Sequence, residues 1–358
     1  MAYTTIDDPS AYFQTKTYTG TGNELVITND GNSDLQPDFI WIKNRTVGYS
    51  HQLYDSSRGT TKALFSNVSN AETTVSNGLL TFNTDGFGVS SAAAVNENEL
   101  VAWQWKANGG TTASNTDGSI TSTVQVNQDA GFSIVTYTGT GANATVGHGL
   151  GVTPNIVFYK NRIDSGITGS TNGNWIVQSS ALNVDEYIKL NENEAAATDT
   201  GYFRSTRPSS TVLTLGNYNS NNGSSDNLVA YCFAEKQGYS KFGKYTGNSN
   251  SEGNGTFVYT GFAPSFIIIK RIDAANDWIM HTYKLGTNNS NNIGNLNSAA
   301  LRANETSAVD EWGAIDMLSN GFKIRTDAAS ENATSPYIYM AFADHPFVTS
   351  TGIPTTAR

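Results

Sequence analysis

Apolar residues in this chain fall in short blocks, and one block recurs. Pro37-Asp38-Phe39-Ile40-Trp41-Ile42-Lys43-Asn44-Arg45 returns as Pro154-Asn155-Ile156-Val157-Phe158-Tyr159-Lys160-Asn161-Arg162 and again as Pro264-Ser265-Phe266-Ile267-Ile268-Ile269-Lys270-Arg271. Four apolar residues bounded by a proline and a lysine predict a strand buried on both faces. Other landmarks recur in the same order around it. Tyr18-Thr19-Gly20, Tyr137-Thr138-Gly139 and Tyr245-Thr246-Gly247 precede the block. Tyr49 to Tyr54, Trp175 to Gln178 and Trp278 to His281 follow it. Next comes a Leu-x-x-Asn signature, assigned to Leu64–Asn67, Leu190–Asn193 and Leu301–Asn304. Apolar runs at Leu100–Trp105, Leu228–Phe233 and Tyr337–Phe342 close each copy. Repeated order of this kind marks one supersecondary module used three times.

Each module predicts seven or eight short strands with turns at close intervals, the pattern of a two-sheet antiparallel sandwich. Leu79–Phe82, Asp85-Gly86 and Phe87–Val89 predict a hairpin. In the second copy Gly201-Tyr202-Phe203 fits the corresponding landmark poorly, and Val212–Leu215 is the better match. A one-turn helix is expected near Ala299–Leu301. The expected fold is all-β: three tandem antiparallel sandwich modules, jelly-roll or lectin-like, with little helix. Module 1 spans 1–107, a linker 108–131, module 2 132–237, module 3 238–345 and an extended tail 346–358. Within the linker, Ile120, Val124 and Val126 keep a period of two, so part of it is expected to dock as a strand.

Composition narrows the function. Charged residues make up only 15% of the 358, the net charge is −10, and the 21 Lys and Arg are scattered. That excludes the basic stripe of a nucleic-acid binder. No apolar run approaches the length of a membrane span. The N-terminus lacks the basic and apolar regions of a signal peptide, so the protein is expected to be made and soluble in a cytoplasm. The single cysteine, Cys232, reads as a small buried hydrophobe.

The candidate contact residues are few. Lys43, Lys160 and Lys270 end the repeated strand. They read as snorkelling side chains with heads in water, or as contacts for an anionic sugar or a partner subunit. Trp175 and Trp278 begin equivalent strands, with Tyr49 as the nearest counterpart in module 1. Such aromatics stack on sugars where exposed and otherwise belong to the core. The four histidines show no metal spacing, and no cofactor is expected. Asp-Gly turns at 85–86 and 117–118 are a weak calcium signal, explained by the turns alone. The pairs Asp185-Glu186 and Asp310-Glu311 occupy non-equivalent positions, and neighbours on a strand do not straddle a glycosidic bond. No catalytic residue is assigned.

Further stretches carry a resemblance. Ile6-Asp7-Asp8-Pro9-Ser10-Ala11-Tyr12-Phe13-Gln14, Asp55-Ser56-Ser57-Arg58-Gly59, Ser76 to Phe87, Gly238 to Asn248, Phe257 to Phe262, Tyr339 to Phe347 and Pro354 to Arg358 resemble an uncharacterised repeat domain of marine tailed phages. The resemblance covers nearly the whole chain. It implies a virion structural protein assembled in the host cytoplasm, most often a tail fibre or tail appendage, with lectin-like sandwiches and no established catalytic residues. Expected partners are other virion proteins and host surface polysaccharide, with no nucleic acid and no membrane insertion. A homo-oligomer is expected, a trimer by analogy with fibres. A capsid decoration or head-fibre protein is the alternative reading, and a tailspike-like glycan hydrolase a remoter one.

Overall fold

The three copies of the repeated block, Phe39–Asn44, Ile156–Asn161 and Phe266–Arg271, are strands buried along nearly their whole length. Each takes the same place in a four-strand antiparallel arrangement. The order is opening strand, closing strand, central strand, following strand. In the first copy these are Phe13–Thr21, Glu97–Trp105, Phe39–Asn44 and Gln52–Asp55. In the second they are Phe132–Thr138, Asn227–Phe233, Ile156–Asn161 and Ile176–Ser179. In the third they are Ser240–Thr246, Pro336–Phe342, Phe266–Arg271 and Ile279–Thr282. The computed structural model describes residues 4–163, 173–285 and 296–346. It is all-β, with only short helical turns between strands.

Strand alternation sorts the two faces of each sheet. Ile40 and Ile42 face a small sheet of their own unit, formed by Leu25–Ile27, Gly86–Val89 and Leu79–Asn83. Val157 and Tyr159 do the same over Ala144–Gly147 and Val212–Leu215. Ile267 and Ile269 do so over Phe257–Tyr259 and Gly321–Ile324. Each unit is thus sandwich-like. The Leu79–Asn83/Gly86–Val89 hairpin and the role of Val212–Leu215 are as the sequence predicts.

The opposite faces carry the largest side chains, and all three meet. Phe39, Trp41, Trp103 and Trp105 of the first unit pack with Phe158, Tyr231 and Phe233 of the second and Phe266, Ile268, Met340 and Phe342 of the third, in one continuous core. Phe39 stacks on Tyr231 with centroids 4.4 Å apart, Trp103 meets Phe266 at 5.2 Å, and Phe233 meets Phe342 at 5.8 Å. The space between the rings holds no water-sized void. Units strung like beads would leave these aromatic faces in water, a patch larger than soluble proteins tolerate. Packing the three around a common centre removes them all.

The linker is built into the second unit. Ala113–Asn115 and Ser122–Asn127 extend its main sheet beyond the opening strand, and Ile120 pairs in parallel with Val146 of its small sheet. The start of the linker is pinned by the buried Asp38 carboxylate, which accepts from the amides of Ala107, Gly109 and Gly110 at 2.7–2.9 Å. The helix expected at Ala299–Leu301 is instead the strand Leu296–Arg302, held between Ile279–Thr282 and Asp310–Leu318. Sheet pairing on both sides overrides the local alanine preference. The expected extended tail beyond Pro346, and most of the loops at 163–174 and 284–298, lie outside the described residues.

Candidate functional site

Strand register fixes which side chains occupy equivalent positions. Lys43, Lys160 and Lys270 sit at the same place in three central strands, on the face that looks at the other units. All three are fully buried. Lys43 Nζ donates to the carbonyl oxygens of Asn44, Tyr49 and, in the third unit, Thr306 at 2.8–2.9 Å. Lys160 Nζ donates to Gly173 O and to Ser69 O of the first unit, the latter at 2.8 Å. Lys270 Nζ donates to Arg271 O, Asn276 O and, in the second unit, Asn193 O at 2.8–3.2 Å. First reaches to third, third to second, and second to first, so the contacts close a ring. Burial pulls Lys43 down to about 8, and it pulls Lys270 down to about 8 against the nearby carboxylates of Asp277 and Asp273. The snorkelling reading and the ligand reading of these lysines are both corrected, because their heads reach neither water nor surface.

The next ring of contacts comes from the residue opposite each lysine. Trp175 and Trp278 stand opposite Lys160 and Lys270, and His51 stands opposite Lys43. Trp175 Nε1 donates to Phe65 O at 2.8 Å and Trp278 Nε1 to Lys189 O at 2.9 Å. His51 Nε2 meets Arg302 O at 2.9 Å, while its Nδ1 accepts from Trp41 Nε1 at 2.8 Å. That network assigns the neutral tautomer with the proton on Nε2. It agrees with a pKa held well below the ordinary histidine value by burial and by nearby Lys43. His51, not Tyr49, is therefore the counterpart of the two tryptophans. Trp175 and Trp278 are 0% and 1% exposed, so neither can stack on a sugar. Tyr49 lies half-buried near the surface, its hydroxyl 3.5 Å from Glu97 Oε2.

The acceptors of both rings lie on one loop. Asn67 and Asn191 accept from the backbone N–H of His51 and Trp175, and Asn304 from that of Trp278, at 2.8–3.2 Å. Two residues after each asparagine comes the carbonyl that takes the neighbour's lysine. Three residues further on, Glu72 N, Ala196 N and Val309 N donate to Arg162 O, Ile272 O and Arg45 O of the neighbouring unit at 2.9–3.0 Å. The structural match to Leu64–Asn67 in the second unit is therefore Ile188–Asn191, two residues earlier than the sequence assignment. Leu190–Asn193 also fits the Leu-x-x-Asn pattern, and only pairing across the sheet separates the two registers.

The Asp55-Ser56-Ser57-Arg58-Gly59 stretch has no counterpart in the other units. Arg58 is ion-paired with Asp55 and, at 2.9 Å, with Glu72; Glu72 also binds Arg162 of the second unit at 2.8 Å. Tyr231 donates to Asp55 at 2.6 Å. Burial opposes the Arg58 cation, but Asp55, Tyr231 and Glu72 outweigh it and raise its pKa. This network fastens the first two units together in the interior.

The surface carries a polar cleft of note. A cleft of about 640 Å³ opens at the end of the first unit. It is lined by Thr19, Thr21, Thr46, Ser91, Glu97 and Glu99 with Gly20, Gly22, Ala93 and Asn98. Its walls are the end of the opening strand and the start of the closing strand, held by Asn96, whose Oδ1 accepts from Thr21 N at 2.9 Å. Thr19 donates to Glu99 at 2.8 Å. Glu97 and Glu99 both line the cleft. Hydroxyls and carboxylates in an open cleft suit a ligand rich in hydroxyl groups. The cleft exists only because the end of the opening strand pairs with the start of the closing strand, a contact between residues some 80 apart that leaves no local pattern.

The carboxylate pairs do not form a site. Asp185 takes a hydrogen bond from Ser205 at 2.9 Å, Glu186 from Asn183 at 2.8 Å, and Asp310 pairs with Arg302. The side chain of Glu311 lies outside the described residues. Among the described residues no three His, Cys, Asp or Glu gather as metal ligands. Cys232 is buried, and burial pushes its thiol up to about 12.

The family model of a domain of unknown function, DUF7483, matches residues 8–346. The chain belongs to this family. The matched region takes in all three units and the linker, so the closed ring is the family domain rather than three separate ones. No curated protein and no solved structure matches the chain.

Proposed function

We propose that this DUF7483 protein is a structural component of a tailed-phage particle, a tail fibre or tail-associated adhesin that contacts host surface glycans. Its units are three lectin-like sandwiches. They are arranged as a knob around one centre rather than as a rod. The observation that carries the reading is the closed ring: each repeated lysine, indole or imidazole is spent on holding a neighbouring unit, which leaves a rigid body whose variable part is its polar loops. The phage resemblance of the sequence supplies the setting. The Thr19–Glu99 cleft, with Tyr49 at its margin, supplies a contact for sugar hydroxyls, weak singly and strengthened by repetition on the particle.

Gold-labelled antibody on intact particles tests the location: label on the tail is expected, and label on capsid faces would sink the tail reading in favour of capsid decoration. A glycan array tests the contact. Glu97→Gln combined with Tyr49→Ala is expected to weaken binding about tenfold, or ~1.4 kcal/mol. Release of reducing sugar from host polysaccharide by the purified protein would instead favour a hydrolase.

A further inference from the structure

The second and third units provide an internal comparison of one sheet edge. In the second unit the small-sheet strand Ala144–Gly147 is covered on its outer side by the linker. Ile120 N donates to Thr145 O at 2.9 Å, Thr145 N donates to Ser119 Oγ at 2.9 Å, and Ser122 Oγ donates to Gly147 O at 2.8 Å. The added segment runs parallel, as the Ile120–Val146 bridge shows, and Ile120 is buried by it.

The corresponding strand of the third unit is Phe257–Tyr259. Val258 faces Phe322 in the buried core as Val146 faces Leu213, so Phe257 and Tyr259 take the places of Thr145 and Gly147. Ile324 N donates to Thr256 O at 3.0 Å. By antiparallel alternation Phe257 and Tyr259 then point their N–H and C=O groups away from Gly321–Ile324. No strand among the described residues pairs with that side. The two side chains are 45% and 59% exposed. An unpaired edge bearing large apolar groups and neither lysine nor proline is what proteins ordinarily guard against. The joint before the third unit, from Ala234 to Tyr239, has no length to spare for a covering segment, unlike the linker before the second.

We propose that the Phe257–Tyr259 edge is a docking site for an extended segment of a partner polypeptide, which adds to the small sheet as a parallel strand. The covered edge of the second unit defines its chemistry: a small hydroxyl residue, a β-branched apolar residue and a second hydroxyl, spaced as Ser119, Ile120 and Ser122. Main-chain hydrogen bonds to Phe257 and Tyr259 give the affinity, and the two rings cover the incoming strand.

The test uses the full chain and a synthetic peptide of the sequence Thr116 to Thr123, followed by amide hydrogen exchange. Peptide at millimolar concentration is expected to slow exchange at residues 257–259 at least about tenfold. Phe257→Lys with Tyr259→Lys should abolish that protection while the chain keeps a single cooperative thermal transition, which shows the sheet still formed. No slowing at 257–259, or slowing that the double variant retains, overturns the proposal. So does a dimer of the full chain that the double variant dissolves, which would make the occupant a second copy. Loss of oligosaccharide binding in the double variant, with no peptide effect, would make the ring pair a sugar platform and overturn it equally.

Discussion

A buried lysine whose ammonium donates only to backbone carbonyls is unusual enough to decide several experiments. Lys43 and Lys270 hold their protons only to about pH 8 in the folded chain, against about 10.4 when unfolded. Between those values the unfolded chain binds more protons, so these residues make stability rise with pH from about 8 to 10. Tyr18, Tyr137, Tyr159, Tyr231, Tyr239 and Tyr245 act in the opposite sense at higher pH. Burial raises their pKa well above 10, so above about pH 10 the unfolded chain ionises first and stability falls. Urea midpoints across pH 7–12 should rise to a maximum near pH 10 and then drop, with tyrosinate absorbance appearing together with unfolding. Tyrosinate absorbance growing near pH 10 while the chain stays folded would contradict the burial argument. Lys43→Ala orphans the carbonyls of Asn44, Tyr49 and Thr306. It should cost at least about 1–3 kcal/mol in the same assay, and an unchanged midpoint would show that those carbonyls find water.

At the scale of the element, the Tyr-Thr-Gly landmark explains itself once the end of each opening strand is seen beside its closing strand. Tyr18, Tyr137 and Tyr245 donate to Val95 O, Asn221 O and Glu331 O, each at 2.7 Å. Asn96, Asn222 and Asn332 follow those carbonyls and accept from Thr21 N, Thr140 N and Asn248 N at 2.9–3.0 Å. The glycine lies so near backbone that a Cβ would collide: Gly20 with Asn96, Gly139 with Gly223, Gly247 with Ala333. Gly139→Ala should therefore destabilise by about 1–3 kcal/mol through overpacking, measured by thermal unfolding. A neutral result would mean that the loop moves aside. The tyrosine and glycine of this device were visible in the sequence as a repeat. The asparagine was not, because it lies some 80 residues away and the stretch between it and the closing apolar run differs in length from unit to unit.

At the scale of the molecule, the shared core makes the units interdependent. One cooperative transition is expected by calorimetry, and Cys232 should react with thiol reagents only as that transition proceeds. Three separable transitions would show that the centre contributes little. Residues 108–237 expressed alone, the second unit with its built-in linker, expose Phe158, Tyr231 and Phe233. They should either remain unfolded or assemble through the same ring contacts into trimers, and sedimentation distinguishes both from a stable monomer.

The sequence by itself determined the strands, their triplication, the double burial of the central strand and the all-β class. These follow from local periodicity and from turn chemistry, which act over a few residues. Tertiary structure alone decided where the outward faces of the sheets go. Alternation shows that Phe39, Trp41 and Lys43 share a face, but not that the face meets two others. A buried lysine and a snorkelling one have the same neighbours in sequence, and so do a core tryptophan and a sugar-stacking one. The difference lies in carbonyls such as Thr306 O and Phe65 O, which approach only when the chain has closed its ring. The cleft at Thr19–Glu99 and the open edge at Phe257–Tyr259 belong to the same class, since each is made by what does or does not pack beside it.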